Sequence, residues 1–182
     1  MTNIAEGDLL WQPTPDEIAT ANLTRYMDWL RVHRGLDFAD YRSLWAWSVE
    51  QTDAFWASLW DYFEIVASAP YSAVMRQRTM PGAEWFPDAR LNYAENLLQQ
   101  VTDARPAILY QAEGGSLSEI SWQEFAETAA KVAHALRARG VQPGDRVVGF
   151  LPHIPETIAA FLGAASLGAI WSSCPPDFGS QS

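Results

Sequence analysis

The sequence predicts an α/β fold with two parts. A tryptophan-rich helical region, residues 1–102, precedes the first part of a doubly wound parallel sheet, residues 103–182. In the first part, apolar residues recur at spacings of three and four, which is typical of amphipathic helices. In residues 140–179, an apolar run, a helical pattern and a second apolar run follow one another, which indicates a strand, a crossover helix and a parallel strand.

The composition is that of a globular chain with a sizeable core. It has 182 residues, 48% of them apolar, and nine tryptophans, which suffices for one domain or for a helical cap and the start of a larger domain. The net charge of −10 argues against a nucleic-acid surface, because such binding uses clustered Lys and Arg. The longest apolar run is shorter than the roughly 20 residues needed to cross a membrane. One cysteine and an acidic start without an apolar core favour the cytoplasm.

The first predicted helix follows a loose arm. Residues 1–12 form this arm, which Trp11 is expected to hold to the body. Thr14 and Glu17 have the spacing of a capping box, and Gly35 provides a stop signal. The inward face of the helix is expected to carry Leu23, Tyr26, Met27 and Leu30.

Two more helices are predicted before residue 65. One begins at Asp40, and residues 48–51 have the pattern of a second capping box that opens the other. The latter carries a regular aromatic and apolar stripe of Thr52, Phe55, Trp56, Leu59, Trp60 and Phe63. Aromatic residues at this spacing are usually the packing face of a helix. The alternative is a surface on which a partner docks.

The connection to the second part is predicted to be irregular. Residues 65–88 contain Pro and Gly with little periodicity, which indicates a loop or short extended pieces. A short helix is expected over residues 92–100. A hairpin over residues 107–122 should turn at Gly114 and Gly115, and a third capping box at Ser121 opens a helix that ends at Gly140.

The block over residues 140–179 is predicted to be the centre of the fold. A strand over residues 147–151 precedes a helix that begins at Pro155, and a second strand follows over residues 169–174. The helix is apolar on nearly every side, so we expect both of its sides to be buried. Its small residues are expected to let it lie close against the sheet: Gly163, Ala164, Ala165 and Gly168.

The chain resembles the adenylate-forming acyl-CoA synthetases in four stretches: LWAWSVEQTDAFWASLWDYF, WFPDARLNYAENLL, ARGVQPGDRVVGFLPHIPE and FLGAASLGAIWSSCPPDFG. The resemblance covers nearly the whole chain but only the N-terminal portion of such an enzyme. It implies that the complete enzyme uses ATP, Mg²⁺ and CoA, and that its small-molecule substrate is acetoacetate. The remainder of the enzyme is then the partner of this chain.

The sequence lacks the groups that such chemistry requires. Holding a triphosphate beside a carboxylate needs cations, because both reactants are anions. No glycine-rich phosphate loop closed by a lysine is present, and Lys131 is the only lysine. We therefore predict no catalytic residue here, no adenylation by this chain alone and no tight binding of these cofactors. We also predict self-association. A chain that contains only the first part of a parallel sheet leaves a strand edge and an apolar face exposed.

Scattered histidines and one cysteine do not predict a metal site. His33, His134 and His153 are far apart in sequence, and Cys174 has no histidine at a motif spacing. Surface or helix-end histidines and a small buried cysteine are the simpler interpretations. His153 is the one that follows a predicted strand at its carboxyl end.

The candidate binding residues form a lip after the last strand: Pro176, Asp177, Phe178 and Gly179. Open α/β sheets bind ligands at the carboxyl ends of their strands. By resemblance, this lip borders the CoA tunnel, although Pro176 and Asp177 stand where a related synthetase has glycines. A plain rigid turn is the alternative. For the whole chain, the alternative to an enzyme portion is a non-catalytic module whose tryptophan-rich helices dock a partner.

Overall fold

The structure, a computed structural model, describes residues 5–178. Its elements within that range are the helices α1 (Pro15–Thr20), α2 (Asn22–Arg34), α3 (Tyr41–Glu50), α4 (Thr52–Tyr62), α5 (Tyr93–Leu98), α6 (Trp122–Ala138) and α7 (Pro155–Ser166), and the strands β1 (Ile108–Gln111), β2 (Leu117–Ile120), β3 (Arg146–Phe150) and β4 (Ile170–Cys174). This order confirms the predicted α/β architecture. No helix within residues 5–178 is long and apolar enough to span a membrane.

The chain forms two compact units that interleave along the sequence. The first unit runs to Ile65 and also includes Ala73–Pro87, whereas the second comprises Val66–Ser72 and the chain from Asp88 onward. The polypeptide therefore passes between the units three times.

In the first unit, the first predicted helix is divided in two. Thr14 caps α1 as predicted, since its hydroxyl accepts the Glu17 N–H and the Glu17 carboxylate accepts the Thr14 N–H. Ala21 then adopts an extended conformation with ψ 144° and separates α1 from α2. Gly35 ends α2 in the left-handed conformation, with φ 65°.

The predicted capping box at residues 48–51 is wrong. Ser48 lies inside α3, where its hydroxyl donates to the Trp45 carbonyl at 2.7 Å. The helical ladder of α3 continues to Glu50, so the serine is not at a helix start. Helix α4 begins after Gln51, which makes no side-chain capping bond.

The core of the first unit combines leucine and aromatic side chains. Tyr26, Leu30 and Leu44 are buried between α2, α3 and α4. The buried Tyr26 hydroxyl lies 2.6 Å from Ser58 Oγ, and Ser58 also donates to the Phe55 carbonyl. Burial raises the pKa of Tyr26, although the Ser58 hydrogen bond opposes this shift. The stripe on α4 is thus partly a packing face, as predicted.

The irregular segment Ala73–Pro87 packs on the same unit. Met75 and Trp85 form an antiparallel bridge, and the Trp85 ring lies 5.2 Å from that of Trp56. Arg78 pairs with Asp53 of α4 at 2.7 Å. The prediction of short extended pieces in this region is confirmed. Trp11, in contrast, is 71% exposed and does not hold the arm to the body, so that prediction is wrong.

The second unit contains the short helix α5, an antiparallel hairpin and the helices α6 and α7. Strands β1 and β2 pair from Ile108 opposite Ile120 to Gln111 opposite Leu117. Ser121 caps α6 through a complete capping box with Glu124, as predicted. Side chains of α5, α6 and α7 make the core of this unit: Ala94, Trp122, Phe125, Ala129, Ala159 and Leu162.

Helix α7 connects two parallel strands, as predicted. Strand β3 pairs with β4 in parallel, from Arg146 opposite Ile170 to Phe150 opposite Cys174. The small residue Gly163 faces α6 rather than the sheet, because a Cβ atom there would lie 2.8 Å from Val132 Cγ1. Ile158 is 44% exposed, so the prediction that both sides of α7 are buried is also wrong.

Candidate functional site at the carboxyl end of the parallel strands

Two chain segments leave the sheet at the same edge. Because β3 and β4 are parallel and in register, Phe150 and Cys174 end side by side. The Leu151 N–H donates to the Cys174 carbonyl at 3.3 Å and extends this ladder by one bond. The edge is where open α/β sheets place ligands.

The segment after β3 turns directly into α7. The Ile154 N–H donates to the Pro152 carbonyl at 2.9 Å, and Thr157 Oγ1 donates to the same oxygen at 2.7 Å. Ile154 occupies the capping position of α7 and makes no side-chain capping bond. The Pro152 carbonyl thus fixes the start of α7 at the candidate edge.

The segment after β4 is the predicted lip. Its Phe178 N–H donates to the Pro175 carbonyl at 3.2 Å, which closes a turn. Pro176, Asp177 and Phe178 are exposed, whereas Gly179 lies outside the described residues. A turn of this kind can border a ligand or stand alone, so contact between the lip and CoA stays a prediction.

The charges at this edge favour contacts by backbone and apolar groups. The ionisable side chains that follow the strands here are His153, Glu156 and Asp177. Two of the three are carboxylates, which repel phosphate groups. The edge can therefore shape a wall for a ligand, but a triphosphate needs cations from elsewhere.

The other residues considered from the sequence are distributed over both units. In the first unit, His33 stacks on Trp29 with ring centres 4.8 Å apart. In the second, His134 is exposed on α6 and Cys174 is half-buried. Within residues 5–178, no three His, Cys, Asp or Glu side chains gather as metal ligands.

Sequence reasoning missed an apolar groove in the first unit. This α2–α4 groove has a volume of about 500 Å³ and is lined by side chains including Leu23, Tyr41, Trp45, Phe55, Leu59 and Phe63. Part of its lining is exposed, since Trp45 and Phe63 are 55% and 56% accessible. The available signal was the large number of aromatic residues, which exceeds what one helix face can bury.

Comparisons with known proteins agree on the family. Residues 97–182 match the family model described as AMP-binding enzyme, and residues 41–97 match that of the acetyl-coenzyme A synthetase N-terminus. The acetoacetyl-coenzyme A synthetase of Rhizobium meliloti (strain 1021) is 38% identical over 94% of this chain and 26% of its own length. That of Xenopus tropicalis is 40% identical over 98% of this chain and 27% of its own length. The chain is thus similar to acetoacetyl-CoA synthetases over nearly its whole length.

A solved acetoacetyl-CoA synthetase has the same fold. The enzyme from Streptomyces lividans superposes with a TM-score of 0.86 at 43% identity, over 94% of this chain and 27% of that one. A malonamoyl-CoA synthetase from Penicillium aethiopicum is 33% identical over 94% of this chain and 24% of its own length. The chain thus spans about a quarter of the acetoacetyl-CoA synthetases that it matches, and the predicted resemblance to their N-terminal portion is confirmed.

Proposed function

We propose that the chain is the N-terminal part of an ATP-dependent acetoacetate–CoA ligase. In this reaction, the acetoacetate carboxylate attacks the α-phosphorus of ATP, pyrophosphate leaves, and the CoA thiol then displaces AMP from the acyl-adenylate. The observation that supports this is the match of 94% of the chain, at 43% identity, to a solved acetoacetyl-CoA synthetase. As an AMP-binding family, these enzymes use ATP, Mg²⁺ and CoA.

The proposed role of the chain is that of a structural scaffold that also forms one wall of the CoA entrance. Residues 1–102 are the helical region and residues 103–182 begin the nucleotide-binding domain. The exposed turn at Pro176, Asp177 and Phe178 borders the CoA entrance, with Gly179 as its continuation. Support comes from its place after β4, at the carboxyl end of a parallel strand pair.

The chain alone does not catalyse adenylation in this proposal. The ionisable side chains that follow the strands at the candidate edge are His153, Glu156 and Asp177, so the phosphates would lack counter-charge there. The remainder of the enzyme supplies the cations and the acetoacetate pocket. The complete enzyme acts in the cytoplasm. In isolation, the chain self-associates through the uncovered sheet face, where Val148, Phe150 and Ile170 are 70%, 62% and 52% exposed.

A pyrophosphate-release assay tests this function. The complete protein that contains this chain is incubated with ATP, Mg²⁺, CoA and either acetoacetate or malonamate. These two acids differ by a methyl and an amino group on the distal carbonyl, so they separate the two activities named for the relatives. We expect turnover with acetoacetate and much less with malonamate. Pyrophosphate release by the 182-residue chain alone should equal that of a no-protein control. Turnover by this chain would contradict the proposal that the remainder of the enzyme is needed for adenylation.

The α2–α4 groove favours a second candidate function, a non-catalytic module that docks a partner. An apolar concave surface with exposed aromatic side chains is typical of such sites. Absence of pyrophosphate release from the complete protein with any small carboxylic acid would favour this candidate over the ligase.

A further inference from the structure

The N-terminal arm carries an apolar segment that remains exposed. Leu9, Leu10 and Trp11 are 73%, 74% and 71% accessible, although they are consecutive and apolar. Exposed apolar side chains in one contiguous patch are typical of a contact surface. Trp is one of the residues that most often dominate the binding energy of an interface.

The α2–α4 groove of the same unit is apolar, like the exposed segment of the arm, and could accept it. It is open, apolar and about 500 Å³ in volume. Trp45 and Phe63 are more than half exposed on its wall, and Leu23 is 40% exposed. Since Leu9, Leu10 and Trp11 keep more than two thirds of their surface accessible, the arm does not fill the groove of its own chain.

Basic side chains lie beside the groove, and acidic side chains lie beside the apolar segment of the arm. The arm carries Glu6 and Asp8 immediately before its apolar segment. At the groove, Arg42 stands between the lining residues Tyr41 and Trp45 and lines an adjoining cavity with them. Arg25 lies on α2 and donates to Asn22, a further lining residue, at 3.3 Å. Opposite charges beside an apolar contact favour encounter and fix its direction.

We propose that the arm of one copy, residues 5–11, docks in the α2–α4 groove of a second copy of this chain. Both the arm and the groove are present on every copy, so the exchange can be reciprocal and close into a symmetric dimer. Leu10 and Trp11 fill the groove, while Glu6 and Asp8 face Arg25 and Arg42. This contact is separate from the sheet face and does not depend on the enzymatic proposal.

Peptide binding tests the contact directly. A dye-labelled peptide of residues 5–13 is titrated with the full chain carrying Leu10→Ser and Trp11→Ser, so that its own arm does not compete, and anisotropy is recorded. We expect saturable binding that Trp45→Ser in the groove weakens at least about tenfold. Val32→Ser is the matched control, because Val32 is a 70% exposed apolar residue of α2 outside the groove lining. Equal binding to the Trp45→Ser and Val32→Ser chains would overturn the proposal.

Charge reversal and molecular mass provide independent readouts. A peptide with Glu6→Lys and Asp8→Lys should bind weakly to the parent groove and regain affinity for a chain with Arg25→Glu and Arg42→Glu. In a Phe150→Ser background, which weakens the sheet face, light scattering should show a dimer that Leu10→Ser with Trp11→Ser converts to a monomer. A monomer before the arm is changed, or a dimer that persists afterwards, would contradict arm exchange.

Discussion

The indole of Trp171 occupies the space beside Gly149 that a side chain would need. A Cβ atom on Gly149 would lie 2.8 Å from Trp171 Cη2 and 2.9 Å from Cζ2. The two residues belong to paired strands, and the Trp171 ring also contacts Phe161 of α7. This contact fixes the sheet to the crossover helix directly below the candidate edge.

Substituting Gly149 with alanine should therefore destabilise the second unit. The added methyl overpacks a site that Trp171 fills, at a cost of about 1–3 kcal/mol, and the urea midpoint followed by circular dichroism should fall. The cost should shrink in a Trp171→Phe background, since the smaller ring lacks the two clashing carbons. Ser172→Ala, at an exposed position of β4, serves as the control. An unchanged cost in the Trp171→Phe background would disprove the assigned cause.

Helix α7 should not tolerate a methyl at Gly163 either. A Cβ atom there would lie 2.8 Å from Val132 Cγ1 and 2.9 Å from the Ala129 carbonyl oxygen of α6. Alanine is the better helix former by roughly 1 kcal/mol, yet we expect Gly163→Ala to lower the thermal midpoint, because the helices must move apart. Val132→Ala should restore only part of the loss, since the backbone oxygen remains. A higher midpoint for Gly163→Ala would show that α6 and α7 adjust freely.

The capping box of α6 should make stability depend on pH. Hydrogen bonds from the Ser121 backbone and then from its hydroxyl lower the pKa of Glu124. A carboxylate with a lowered pKa stabilises the fold above its unfolded-state pKa and loses this effect as the pH falls through its folded-state pKa. Glu124→Gln should thus be less stable than the parent near neutral pH and equal to it in acid. Urea unfolding at both pH values measures this, with Glu113→Gln in the hairpin turn as control. A constant difference would exclude the titration.

The buried hydroxyl pair of the first unit should respond unequally to its two deletions. Ser58 donates its one proton to the Phe55 carbonyl, so Tyr26 is the donor in their 2.6 Å contact. Ser58→Ala leaves the Tyr26 O–H buried without that acceptor, at a cost of about 1–3 kcal/mol. Tyr26→Phe leaves Ser58 bonded to Phe55 and should cost less. Chemical unfolding of the two single variants gives the order, and a larger loss for Tyr26→Phe would reverse the donor assignment.

Local capping signals predicted much of this fold correctly. Thr14, Asp40 and Ser121 each precede a helix and cap it with a side-chain oxygen. Such bonds join residues three positions apart, so the sequence contains both partners. The strand, helix and strand order of residues 140–179 was also predictable, because Pro155 and the apolar runs mark the boundaries.

Features that depend on distant contacts were not predictable. Ser48 has the spacing of a cap, but α3 continues past it. From the sequence, Gly163 could equally have faced the sheet. Its contact with Val132 shows that it faces α6. Trp11 has no local signal that separates a buried anchor from an exposed one. The groove likewise arises from three helices and has no signature within any one of them.

Because the two units alternate along the sequence, the position of a recombination breakpoint affects whether they stay intact. Since Val66–Ser72 belongs to the second unit and Ala73–Pro87 to the first, a single crossover between genes within residues 66–87 splits both units between parents, whereas a crossover after residue 88 splits only the second. Hybrid proteins should therefore tolerate exchanges whose breakpoints fall after residue 88 better than exchanges within residues 66–87.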